Sequence, residues 1–188
     1  MREWLIFVFG LGGVLALWLP FAYGQSPLGA LALQDFSRDG LRPLAVFVPF
    51  FLAPVVSLSQ LWRCLGRPMP AVLLGVVRIA ALLSLVATTF YLFSYFKDAL
   101  TGAYSPQGNE TLKMAVGALG LVATTMIFQK VREQRPADAW ECLLMGAYIC
   151  GTGLMAVGFG GQLGVGAMVV AGTWLVYVIS CGLRVRNG

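Results

Sequence analysis

The chain has 188 residues, 59% hydrophobic and 11% charged, with a formal net charge of +5 and no histidine. A soluble domain is about 45–50% apolar and about 25% charged, so this much apolar surface cannot be buried in a water-soluble core of this size. Continuous apolar runs, several beyond the roughly 18 residues that mark a bilayer span, predict an all-α membrane bundle and exclude the alternating pattern of a β-barrel.

Six spans are expected. The first covers about residues 4–23, with Gly10, Gly12, Gly13 and Ala16 forming a small-residue face. Ala22-Tyr23-Gly24 also resembles a signal-peptide cleavage site, but the run is long enough to span, so a retained helix is expected. Ser26-Pro27 is a helix-start pair and predicts a short interfacial helix over about residues 27–36. The second span, about residues 44–62, contains Pro49 and Pro54 and should be kinked. The third, Ala71 to Phe96, is one long apolar run with a single charge, Arg78. It is the stretch around which the other spans are expected to gather. The fourth covers about residues 111–128, the fifth about 139–157 and the sixth about 162–183.

The last two spans are rich in small residues. Gly146/Cys150, Ala147/Gly151 and Gly160/Gly164 are small-xxx-small pairs, predicting that spans five and six form a close hairpin through Gly146, Gly151, Gly160 and Gly164. The prolines of span two have no counterpart in span five, so an inverted repeat is not expected.

Short loops orient the bundle. With the N-terminus inside, the inner side receives Arg2, Arg63, Arg67, Lys130, Arg132, Arg135, Arg184 and Arg186, and the outer side Arg38, Arg42, Lys97 and Lys113. Eight against four predicts both termini in the cytoplasm.

Arg78 lies about two turns into its span, and a charge at that depth should face protein or water. Small Gly75 and Ala81 beside it suggest a packed interface, with Gln60 and Glu141 as candidate partners at similar depth. The three are the candidate binding or docking residues. All the acids fall in loops or at span ends, which argues against a proton-coupled pump. Without histidine, neither bis-histidine haem nor a nucleophile–base pair can be assembled from this chain. Cys64, Cys142, Cys150 and Cys181 lack CxxC spacing and read as small apolar fillers, so no metal or other cofactor is expected. No basic patch with interleaved aromatics points to nucleic acid.

The expected role is that of a non-catalytic structural, assembly or accessory subunit of a larger membrane complex, in a bacterial inner membrane. Its partners would be the lipid bilayer and other membrane subunits or a second copy. The alternative is a small-solute or ion facilitator or channel, with a pathway lined by Gln60, Arg78 and Thr88.

Overall fold

Prolines and glycines punctuate the apolar runs, and the helices start and stop at them. The computed structural model describes residues 2–21, 24–32, 48, 50–102, 110–158 and 164–186; within these the chain is helical, with no β-strand. The helices are α1 (Arg2–Leu15), α2 (Pro27–Ala32), α3 (Ala53–Cys64), α4 (Ala71–Leu100), α5 (Glu110–Gln134), α6 (Pro136–Gly158) and α7 (Val165–Arg186). Pro27, Pro54 and Pro136 stand in first turns, where a missing N–H breaks no helical bond. The hydroxyl of Ser26 accepts the Gly29 N–H at 3.1 Å and caps α2. Gly66 and Gly102, at φ 63° and 71°, end the turns that follow α3 and α4.

These boundaries bear on two expectations. The kink expected in span two is present: residues 50 and 51 are helical, Leu52 is a turn with near-helical dihedrals, and α3 begins at Ala53 just before Pro54; Pro49 and residues 44–47 lie outside the described residues. The first helix ends at Leu15, well short of residue 23. Its last turn tightens, with the Leu17 and Trp18 N–H groups bonding to Val14 and Leu15 at 3.1 Å each, and the chain then turns away. The turned segment meets a backbone demand elsewhere. The first N–H groups of a helix have no partner within it. At the start of α7, Gly164 and Gly166 find theirs in the carbonyls of Phe21 and Pro20, each at 2.8 Å. A Cβ on Gly164 would collide with the Pro20 carbonyl, so glycine is needed for this approach.

Neighbouring contacts give the helices alternating directions. Ala53 meets Gly13, and the Ser57 hydroxyl donates to the Gly10 carbonyl at 2.8 Å, so α3 runs antiparallel to α1. Gly12 lies 3.2 Å from Val169, measured from the position a Cβ would take, which ties α1 to α7. Gly117, Gly120 and Thr124 of α5 face Leu154, Cys150 and Gly146 of α6 in a regular antiparallel register. Arg78 over Trp140, and Leu92 in one cluster with Leu154, set α4 parallel to α6.

The small residues of α6 therefore mesh with α5. The hairpin expected between spans five and six is a looser neighbour pair: Gly164 packs on Pro20, Gly151 is buried within α6, and Gly160 lies outside the described residues. The centre of the bundle also differs from expectation. Helix α6 packs against α3, α4, α5 and α7, and Leu143, Leu144, Met145, Ala147, Tyr148 and Leu154 are all buried. The run from Ala71 belongs to a peripheral helix. Length and apolarity favoured it, but α6, with Glu141 and its glycines, can pack against neighbours on several sides.

One stripe of α4 (Leu73, Val77, Ala80, Ser84 and Ala87) is buried against the bundle. A second stripe about 100° round the helix, Val72, Val76, Ile79, Leu83, Val86, Phe90, Phe93 and Leu100, is exposed; Val72 is 80% and Leu100 87% accessible. Both follow a 3.5-residue repeat, the period of left-handed helix packing. Helix α5 exposes Leu112, Val116, Leu119 and Met126 in the same way. Two helices, α4 and the Met114–Gln134 part of α5, are long and apolar enough to cross a membrane.

A Cβ at Gly146 would fall inside the stiff, β-branched Thr124 side chain, whereas at Gly172 it would meet nothing within 4 Å. Gly146→Leu is expected to cost about 1–3 kcal/mol by overpacking. Gly172→Ala should be neutral or slightly stabilising. Thermal unfolding of the two variants in detergent checks the contrast, and equal losses would contradict the register.

Candidate functional site

The most polar interior point lies where the end of α3 crosses the start of α6. Ser59, Gln60 and Arg63 are placed on one face of α3 by spacings of three and four, and Asp138 and Glu141 share a face of α6 by a spacing of three. Ser59 and Gln60 are 0% exposed and Glu141 is 1% exposed. The Gln60 amide Nε2 donates to Glu141 Oε1. The Ser59 hydroxyl lies 3.3 Å from the same oxygen and 2.8 Å from the Val56 carbonyl, with one proton to donate between them. Arg63 Nη2 forms ion pairs with Glu141 Oε2 and, at 2.7 Å, with Asp138 Oδ1. One guanidinium thus bridges two carboxylates across the helix crossing.

This arrangement is a clamp. A buried carboxylate is stable only when paired and hydrogen-bonded, and these groups supply both. Apolar packing by Ala53, Val56, Val77, Ala80, Leu144 and Tyr148 closes the space beside it.

The structure brings together two of the three residues singled out as binding or docking candidates, Gln60 and Glu141. It places Arg78 elsewhere. Arg78 is exposed on the outer surface of α4 and makes no ion pair among the described residues. Its guanidinium carbon lies 5.6 Å from the centroid of the Trp140 ring, and Trp140 in turn meets Phe128 edge-on at 5.0 Å. The expected pairing of Arg78 with Glu141 is therefore corrected: Arg63 takes that role. Nor do Gly75 and Ala81 flank Arg78 in one interface. Ala81 is in the core, whereas the space at Gly75 is open. Three residues on a helix turn through most of a right angle from full repeat, enough to separate a core position from a surface one.

Thr88 is buried and donates to the Ser84 carbonyl of its own helix at 2.7 Å. Gln60, Arg78 and Thr88 thus occupy three different surroundings. Cys64, Cys142 and Cys150 are half-buried and not in disulfide bonds, and the side chain of Cys181 lies outside the described set. Among the described residues no group of three or more Cys, Asp or Glu is arranged to hold a metal ion.

Arg63, Asp138 and Ser59 were not anticipated as partners of Glu141. A signal existed: two polar faces at helical spacing, at the end of one helix and the start of another that alternation brings to the same side. Arg63 and Asp138 read instead as loop charges, because each sits next to a proline- or arginine-rich turn.

Comparison with protein-family models, curated proteins and solved structures gives no match to this chain.

Removing Glu141 leaves Arg63 inside the crossing with Asp138 as its remaining carboxylate. Glu141→Leu is expected to destabilise the fold by about 3 kcal/mol, the lower end for a broken buried pair. Arg78→Leu should cost less than about 1 kcal/mol, the scale of an exposed cation–aromatic contact. Unfolding curves in a common detergent measure both; a loss in Arg78→Leu as large as in Glu141→Leu would contradict the assignment.

Proposed function

We propose that the chain is a six-span integral membrane protein with both termini in the cytoplasm, acting by contact as a structural, assembly or accessory subunit of a larger complex in a bacterial inner membrane. The observation that carries this reading is the exposed apolar stripe running the length of α4, matched by a second on α5. Apolar patches of that extent mark surfaces covered by lipid or by another protein. The alternating helix directions fit six crossings.

Charge supports the orientation. Around the ends of α3 and α5 and the starts of α4 and α6 stand Arg63, Arg67, Arg78, Lys130, Arg132 and Arg135, against Glu133, Asp138 and Glu141: six to three. Around the other ends of α4 and α5 stand Lys97 and Lys113 against Asp98 and Glu110: two to two. The basic end belongs in the cytoplasm. A non-catalytic role is supported by the lack of histidine and by the engagement of the buried polar groups with one another. A facilitator centred on Arg78 has less support, since that residue lies on the outside of the bundle.

Alkaline carbonate extraction should leave the protein in the membrane pellet. Reporter fusions ending at Arg67 and Arg135 should read cytoplasmic, and one ending at Gly102 external. Extraction in mild detergent, followed by mass spectrometry, should recover other subunits in fixed ratio. A solitary protein that carries solute into liposomes would overturn the subunit reading.

A further inference from the structure

The geometry points to a headgroup site for an anionic phospholipid at Arg78, on the outer face of α4 beside Trp140. Arg78 is the sole charge between Ala71 and Phe96. It is exposed without an ion pair among the described residues, and the exposed apolar side chains nearest it are Leu82, one turn on along the same face, and Ile79 beside it. A guanidinium set in an apolar surface needs an anion or water within reach. The site rests on the membrane reading given above.

Depth and direction fit a lipid phosphate. Arg78 is seven residues after the start of α4, roughly 10 Å along the axis. Helical side chains lean toward the N-terminus, so this one reaches back over the turn that holds Gly75, toward the basic end of the bundle. At Gly75 a Cβ would meet nothing within 4 Å, which leaves an open notch along that path.

The ring of Trp140, 5.6 Å below the guanidinium and steadied by Phe128, forms the floor. Arginine suits such a place because its face can stack on an aromatic ring while its edge donates two parallel hydrogen bonds to phosphate. Tryptophan is itself favoured at the headgroup level. Exposed Lys130 and Arg132 follow Phe128 on α5 and add positive charge at the same end. That charge selects anionic over zwitterionic headgroups. On the same side of α4 an exposed apolar stripe of Leu82, Val86 and Phe93 continues from the site and gives the acyl chains a track. A free phosphate would have no use for that stripe, which is why the ligand is assigned as a lipid.

The test is native mass spectrometry of the full-length protein from detergent, with added phosphatidylglycerol or phosphatidylcholine as probes. Wild type should retain phosphatidylglycerol about fivefold over phosphatidylcholine, the preference of one well-placed cation. Arg78→Gln should remove the preference. Gly75→Leu, which fills the notch but keeps the charge, should lower it as well, and serves as the readout if Arg78→Gln does not fold. Arg67→Gln should leave it unchanged, and inorganic phosphate should not displace the lipid. Retention of the wild-type ratio in Arg78→Gln or in Gly75→Leu would overturn the site. So would an equal loss in Arg67→Gln, displacement by inorganic phosphate, or an acidic protein occupying the face in place of lipid. Carbonate extraction separates the two levels: release of wild type from membranes overturns the membrane reading, whereas membrane-bound protein without lipid preference overturns this site alone.

Discussion

A buried carboxylate must be neutralised before helices can close over it, and the crossing of α3 and α6 is built around that constraint. Glu141 is 1% exposed and takes its compensation from Arg63 and Gln60, both on α3. Neither helix can shift by a turn without stranding a charge in the interior. The register of the polar contacts therefore sets the register of the apolar ones beside them, from Ala53 and Val56 to Leu144 and Tyr148. Asp138 lends a second carboxylate nearer the surface. The pair contributes specificity of arrangement more than net stability, since desolvating the charges offsets much of their attraction.

Away from that crossing the bundle is held by close backbone approach. Gly117, Gly120 and Gly146 allow α5 and α6 to mesh without intervening side chains, and Gly164 and Gly166 let the first N–H groups of α7 reach the carbonyls of Phe21 and Pro20. In a lipid surrounding, apolar side chains gain little by leaving the solvent, so packing and backbone bonding have to drive helix association. The distribution of residues agrees: the central helix α6 is glycine-rich, and the large apolar side chains of α4 and α5 point outward.

The outward surface separates two kinds of charge. Arg63 is held between carboxylates and has no outward task. Arg78, on the next helix, is directed away from the core and lies over an aromatic ring, with no ion pair among the described residues. Both are arginines near the same end of the bundle, and their difference is one of helix face. A residue with its charge answered inside stabilises the fold; one with its charge open to the surroundings is available to a ligand.

Composition and run length were enough to establish an all-helical chain with membrane-length apolar segments, because bilayer thickness and backbone hydrogen bonding leave few alternatives. Proline and glycine act locally on the backbone, and the Ser26 start of α2 was legible in this way, whereas α6 begins at Pro136, three residues before the start expected for the fifth span. Partner choice was not. The small residues of α6 could have met α7 as readily as α5, and Glu141 could have met Arg78 as readily as Arg63, because both pairs are compatible with depth and spacing alone. What selected between them is rotation of each helix about its own axis and the order of helices around α6. Those depend on contacts far apart in the chain, which no local pattern encodes, and only the tertiary structure decided them.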